Sequence, residues 1–181
     1  MEAIIAIDEE YGLAKDGKIP WKNKEDMKFF KDKTINNIVV MGSKTLETLP
    51  NQLPLKNRYN IVLTNNKNNL SEKYSSYDNI IFYNYEELIN YIDSIDTDTD
   101  KTIYVIGGKQ IYDLLLPMCS KIWLSVIPND YNCDLKMYIN FDDYDKKLVE
   151  GKETFNLYCL SKKGDNYLLY FIYFCLFLFI L

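Results

Sequence analysis

The most constraining feature of this chain is a local grammar that it uses twice. Four apolar, mostly β-branched residues run into glycine and then into a polar helix start. Residues 38–41 (IVVM) pass through Gly42 into Ser43, Lys44 and Thr45, and residues 103–106 (IYVI) pass through Gly107 and Gly108 into Lys109 and Gln110. Short apolar runs of this kind read as buried strands. A helix start offers unpaired N–H groups at the positive end of its dipole, and glycine lets a ligand's oxygens approach the backbone. Either corner alone serves equally well as a simple chain turn; the pair points to the phosphates of a dinucleotide. Neither matches GxGxxG or the Walker pattern, so an ordinary Rossmann or P-loop site finds no support.

The same reading extends along the chain. Strands are expected at 3–7, 59–64, 80–83, 121–127 and near 155–160, and helices at 24–33, 43–49, 86–95 and 109–116. Residues 8–20, with Gly12, Gly17 and Pro20, read as a polar loop long enough to act as a lid. Gly107–Gly108 reads as a tight turn. Strands alternating with helices imply an α/β fold with a mostly parallel central sheet flanked by helices; the later strands, without intervening helices, imply an antiparallel C-terminal edge. One domain is expected over 1–166, followed by an apolar tail at 167–181.

Composition removes several chemistries. The 181 residues contain no histidine, which excludes Ser-His-Asp and Cys-His nucleophiles and histidine-ligated metals. Cys119, Cys133, Cys159 and Cys175 form no CxxC pair, so they read as free thiols in a reducing compartment rather than a metal site. The acidic run 96–101 (DTDTDK) lacks the glycine and terminal glutamate of an EF-hand loop and reads as solvated. No metal is expected. A net charge of −5 with no basic stripe argues against a nucleic-acid partner. The N-terminus, MEAIIAIDEE, has no basic segment ahead of a long apolar one, which fits a cytoplasmic protein rather than a secreted one.

Asp26 lies one turn into the helix that Asn23 caps, and shares a face with Met27 and Phe30 through i+3 and i+4 spacing. By spacing alone it is a helix-start acid at the margin of an apolar face, favoured there by the dipole. Its setting after Ile19, Pro20 and Trp21 is more specific. AIDEEYGLAKDGKIPWKNKEDMKFFKDKT, VVMGSKTLETLP, PLKNRYNIVLT and IYVIGGKQIYDLLLP, in that order, resemble dihydrofolate reductases from about residue 3 to residue 134.

The resemblance implies reduction of dihydrofolate with NADPH and assigns residues to it. Asp26 matches the carboxylate that anchors the pterin, Trp21 the tryptophan that holds a water beside it, and Ser125 the hydroxyl that bridges to the acid, where threonine is usual. Ile4, Ile5 and Ala6 match the first wall of the pterin pocket and Ile106 the opposite one. Met27, Phe30, Leu49 and Leu55 match residues that pack on the pterin and the aminobenzoyl ring. Arg58 matches the partner of the glutamate tail's α-carboxylate, a task suited to a bidentate guanidinium.

For the cofactor, the resemblance implies contacts from Ala6 and Ile106. It adds a mobile loop carrying Gly12, Leu13, Ala14, Gly17 and Lys18, and ribose and phosphate contacts from Ser43, Lys44, Thr45, Leu63, Thr64 and Asn65. The second corner contributes Gly107, Gly108, Lys109, Gln110, Ile111 and Tyr112, with a cis Gly107–Gly108 bond. Asp134 matches an aspartate that supports the mobile loop.

The chain departs from the pattern in places. Ala14 replaces glycine, at a cost if that position needs positive φ. Leu46 replaces an aromatic residue. Ser43 and Asn65 replace residues that are often basic and grip the 2′-phosphate, leaving Lys44, with Lys67 nearby. Tyr167–Leu181 carries no charge; Tyr167–Tyr173 would suit a last strand, and the stretch is shorter than the roughly 20 residues of a membrane span. A monomer without a membrane partner is expected. A pyrimidine reductase of riboflavin synthesis would share the cofactor corners but not the Pro20–Trp21–Asp26–Phe30 cluster or Arg58, and a non-catalytic reductase-like binding module would not need an intact Asp26.

Overall fold

Ala3, Ile4, Ile5 and Ile7 are all buried, which only a strand covered on both faces achieves. That strand, β1 (Glu2–Asp8), lies deep within an eight-stranded sheet. The computed structural model describes residues 1–95 and 100–163. After β1 come β2 (Gly12–Ala14), α1 (Lys24–Thr34), β3 (Ile38–Gly42), α2 (Ser43–Thr48), β4 (Tyr59–Leu63), α3 (Lys67–Lys73), β5 (Ile80–Tyr83) and α4 (Tyr85–Ser94). The chain continues through β6 (Ile103–Gly107), α5 (Lys109–Leu115), β7 (Lys121–Ile127), β8 (Leu135–Lys136), β9 (Tyr144–Gly151) and β10 (Asn156–Lys162).

The strand order is β5-β4-β3-β6-β1-β7-β10-β9. The first six run parallel, and β10 and β9 close the edge antiparallel, as the loss of intervening helices predicted. In parallel sheets ligands gather at the carboxyl ends of strands where connections diverge. Here β3 leads outward to β4, whereas β6 returns to lie between β3 and β1, so Gly42 and Gly107 end adjacent strands on one rim. The β3–β6 register shifts between Val40 and Met41, so that Met41 lies opposite Gly107 and Ile106 is the extra residue of a bulge.

Alternation along the strands divides the core. Ala3, Ile5, Ile7, Val105 and Leu115 belong to a cluster on one face, and Ile4, Val39, Met41, Val62 and Tyr104 to one on the other.

The polar loop expected over 8–20 is shorter than that. Asp8 still belongs to β1, and Gly12–Ala14 pairs antiparallel with β8. Gly107–Gly108 is no tight turn: Gly107 ends β6 and Gly108 caps α5. Besides β2, three elements carry no sequence signal. α3 (KNNLSEK) has no apolar face, β8 is two residues long, and β9 (YDKKLVEG) is an exposed, charged edge. Cys119, Cys133 and Cys159 are free thiols. Residues 96–99 of the acidic run and the tail at 167–181, with the strand suggested at Tyr167–Tyr173, lie outside the described residues. Among the described residues no helix is long and apolar enough to cross a membrane.

Candidate active site

Asn23 sets the start of α1 and thereby the place of Asp26. Its side-chain oxygen accepts from the N–H groups of Glu25 and Asp26 at 3.1 and 3.0 Å, and its amide donates to the Thr154 carbonyl at 2.6 Å. Burial pushes the Asp26 carboxyl above the ordinary carboxylate range, because the charged form loses hydration. The Ser125 hydroxyl draws it part of the way back. Ser125 is fully buried, registers with Ala6 across β1 and β7, and has no hydrogen-bond partner of ordinary geometry among the described residues; its approach to Asp26 stops short of a formed bond. Trp21 is buried against Ile127, Cys133, Phe155 and Leu157, with Ala6 packed on the same cluster, and meets Tyr131 edge-on at 5.4 Å.

The apolar walls assemble from distant elements. Ile4, Phe30, Leu49, Leu55 and Ile106 belong to one cluster, with Ile4 buried and the other four partly exposed. Ile5 differs: strand alternation sends its side chain into the opposite core, so only its backbone is available on the Ile4 side. Met27 is 66% exposed and stands outside this cluster.

Arg58 ends a turn that is held unusually firmly. Buried Asn60 accepts from the Leu55 N–H and donates to the Leu55, Arg58 and Asn79 carbonyls at 3.0–3.1 Å. Asn79 donates to the same Leu55 and Arg58 carbonyls. The guanidinium donates to Thr34 Oγ1 from Nε and Nη2, to the Lys31 carbonyl from Nη2, and to the Lys56 carbonyl from Nη1. Sequence reasoning missed this frame; an asparagine inside the apolar strand YNIVL was its one visible trace.

The two glycine corners abut. A Cβ on Gly42 would meet Ile111 at 3.0 Å, one on Gly108 would meet Thr45 Oγ1 at 3.3 Å, and one on Gly107, at φ +105°, would meet the Tyr112 ring at 2.9 Å. The Gly107–Gly108 bond is cis. Neither α2 nor α5 has a side-chain cap, so their first N–H groups stay available along this rim. Such a cradle of bare backbone fits a dinucleotide's phosphates. The Tyr112 hydroxyl donates to the Ile4 carbonyl at 2.7 Å, joining the second glycine corner to β1. Leu63 ends β4 on the same rim, and Thr64 Oγ1 accepts from the Asn66 N–H beside exposed Asn65. Lys109 pairs with Asp113 and Lys67 is held by Glu87 at 2.5 Å, whereas exposed Lys44, next to Ser43, forms no ion pair among the described residues. Gln110 is exposed.

The loop after β1 hangs on Asp8, another residue that sequence reasoning passed over. Its buried carboxylate accepts from the N–H groups of Glu10, Gly12 and Tyr131 and from the Cys133 thiol. A Cβ at Gly12 would meet Asp8 Oδ2 at 2.4 Å, which explains the glycine. Leu13 packs in the core, Ala14 pairs with Leu135, and Lys15 and Lys18 bond each other's backbone around Asp16 and Gly17. The Asp16 N–H donates to Asp134 at 3.1 Å, so Asp134 does brace the loop. Positive φ falls on Tyr11, Asp16 and Gly17 rather than Ala14, so the alanine carries no strain there.

A family model described as dihydrofolate reductase matches residues 1–157. The chain belongs to the dihydrofolate reductase family. It is 36% identical to the dihydrofolate reductase of Enterococcus faecium over 142 residues, 78% of each chain. It is 30% identical to that of Ureaplasma parvum serovar 3 over 154 residues, 84% of this chain and 92% of the relative. Among solved structures it resembles the dihydrofolate reductase from Enterococcus faecalis complexed with NADP(H) and RAB-propyl, with a TM-score of 0.72 and 29% identity over 91% of this chain and 96% of that one. Dihydrofolate reductases thus supply both sequence and fold relatives, and the rim of glycine corners lies within the matched residues.

Proposed function

We propose that this chain reduces 7,8-dihydrofolate to 5,6,7,8-tetrahydrofolate with NADPH, supporting thymidylate and one-carbon metabolism. The observation that carries the reading is Asp26: a carboxyl that burial raises above the ordinary carboxylate range, on the helix that also carries Phe30 into the cluster of Ile4, Leu49, Leu55 and Ile106. When bound, the cofactor supplies the hydride that passes from the nicotinamide to pterin C6. The chain's own residues hold the reactants and manage the proton. Asp26 hydrogen-bonds the pterin's ring nitrogen and 2-amino group, Ser125 bridges to that acid, and a water beside Trp21 carries the proton toward N5. Arg58 pairs with the glutamate tail. The mobile loop and the two glycine corners hold the cofactor, with Ser43, Lys44, Thr45, Thr64 and Asn65 around its ribose and phosphate.

The reading takes the protein as a cytoplasmic monomer of one domain, with no nucleic-acid or membrane partner. Its net charge of −5 supports the exclusion of nucleic acid, and sedimentation of the purified chain checks the monomer.

The test is spectrophotometric. Folded protein, NADPH and dihydrofolate should consume the reduced-nicotinamide absorbance; a folded chain that shows no turnover refutes the assignment. The same assay with NADH addresses the neutral Ser43 and Asn65. Lys44 should keep the KM for NADPH below that for NADH, and the reverse order would overturn the cofactor choice.

A further inference from the structure

We propose that Thr34 is a positioning residue for the substrate's glutamate tail: its hydroxyl orients the Arg58 guanidinium and ties it to the helix that carries Phe30. The inference rests on the function proposed above.

Thr34 sits in the last turn of α1 with no exposure to solvent. Its hydroxyl has one proton and two lone pairs. The proton goes to the Phe30 carbonyl at 2.7 Å, four residues back. A helical threonine often bonds back in this way, and alone that would be a local matter. Here the spent proton leaves the oxygen only as an acceptor, and both of its lone pairs face Arg58. Nε approaches at 3.1 Å and Nη2 at 3.0 Å, so one edge of the guanidinium is docked on a single buried oxygen.

The remaining bonds define the working edge. Arg58 has five N–H donors. Two go to Thr34, one reaches the Lys56 carbonyl at 2.8 Å, and one makes the longest of the four bonds, 3.2 Å to the Lys31 carbonyl. That leaves one Nη1 proton, and a carboxylate approaching it competes with the bond that is weakest by length. Thr34 thus turns the Nη edge outward while holding the Nε edge in. Because its proton is on the Phe30 carbonyl, the position of Arg58 is referred to the same helix turn that carries the apolar contact for the ring system. A shape-preserving substitution without the acceptor would leave Nε unpaired and Nη2 with the long Lys31 bond alone, loosening the orientation of the guanidinium.

The experiment compares two substrates at saturating NADPH: dihydrofolate, and dihydropteroate, which has the same pterin and aminobenzoyl groups without the glutamate. Thr34→Val should raise the KM for dihydrofolate by about tenfold or more, the loss expected for hydrogen bonds to a charged group, with little change in kcat. The KM for dihydropteroate should move by less than about twofold, since it lacks the group that Arg58 pairs with. Thr34→Ser, which keeps the oxygen, should restore the dihydrofolate value. Thr34→Cys, which like serine lacks the γ-methyl but offers only a poor acceptor, should follow the valine variant; it decides the matter should valine prevent folding. Equal KM increases for both substrates, an unchanged KM for dihydrofolate, or failure of serine to rescue would each overturn the proposal. Wild-type protein that turns over neither substrate would instead sink the reductase reading, a result visible before any variant is made.

Discussion

At the scale of single residues, the pH response of Asp26 is the sharpest consequence of the site. Its carboxyl is raised by burial, so between the ordinary carboxylate pKa and the raised one the folded state holds a proton that the unfolded state releases. Two effects follow with the same sign: the stability it contributes falls as pH rises through that window, and so does the fraction of enzyme with a proton to give. The rate at low substrate should therefore decline on the alkaline side of the Asp26 titration. Asp26→Asn should lose about 10²-fold or more in turnover at neutral pH, the usual worth of a positioned acid, and lose that titration, while its affinity for NADPH stays close to wild type. A pH–rate profile for both proteins checks this, and an unchanged asparagine profile refutes the role. Asn60 acts differently, through the frame of the Leu55–Arg58 turn. Asn60→Ala leaves the Leu55 N–H without its partner, at a cost of about 1–3 kcal/mol where water cannot reach it, while the Leu55 and Arg58 carbonyls keep the Asn79 amide. Chemical denaturation should show a loss in that range, and the KM for dihydrofolate should rise with it because the turn carries Arg58; a variant as stable as wild type would remove Asn60 from the frame.

At the scale of elements, the loop after β1 depends on one carboxylate. Burial works to raise the Asp8 pKa, but the N–H groups of Tyr131, Gly12 and Glu10 and the Cys133 thiol overcome it, and the carboxyl lies below its ordinary range. The sign is opposite to that of Asp26: the stabilisation is complete above the ordinary carboxylate pKa and is lost as pH falls through the lowered one. Asp8→Asn keeps the shape but turns one acceptor into a donor facing other donors. It should cost about 1–3 kcal/mol at neutral pH, with the gap to wild type closing in acid. Urea midpoints at the two pH values measure this, and a gap independent of pH would show that charge plays no part. Long amphipathic or β-branched elements such as α1, α4, β3 and β6 were legible because local pattern alone decides them. β2 and β8 were not, because each exists only through a partner more than a hundred residues away, and Asp8 looked like the first residue of a polar loop when its acceptors serve a strand end.

At the scale of the whole molecule, the sheet itself locates the site: adjacent parallel strands end at Gly42 and Gly107, and α1 lays Asp26 and Phe30 across the neighbouring strands. Spacing could not reveal that Ile5 turns away from Ile4, nor that Thr34, Asn60 and Asn79 brace Arg58, since such contacts depend on which elements the topology brings together. The same topology bears on the tail. The family match ends at residue 157, and among the described residues the antiparallel edge ends with β10, whose last residue is Lys162. β10 is hydrogen-bonded on both sides, to β7 and to β9, and the exposed β9 forms the outer edge with charged residues, a common guard against further pairing. The family match and the described sheet both end before Tyr167, and we propose residues 1–166 as the folding unit. A chain ending at residue 166 should melt within a few degrees of the full chain, as about 1 kcal/mol or less would allow, and retain its kcat and KM. If truncation instead unfolds the protein or abolishes turnover, the apolar segment packs on the domain and the boundary proposed here is wrong.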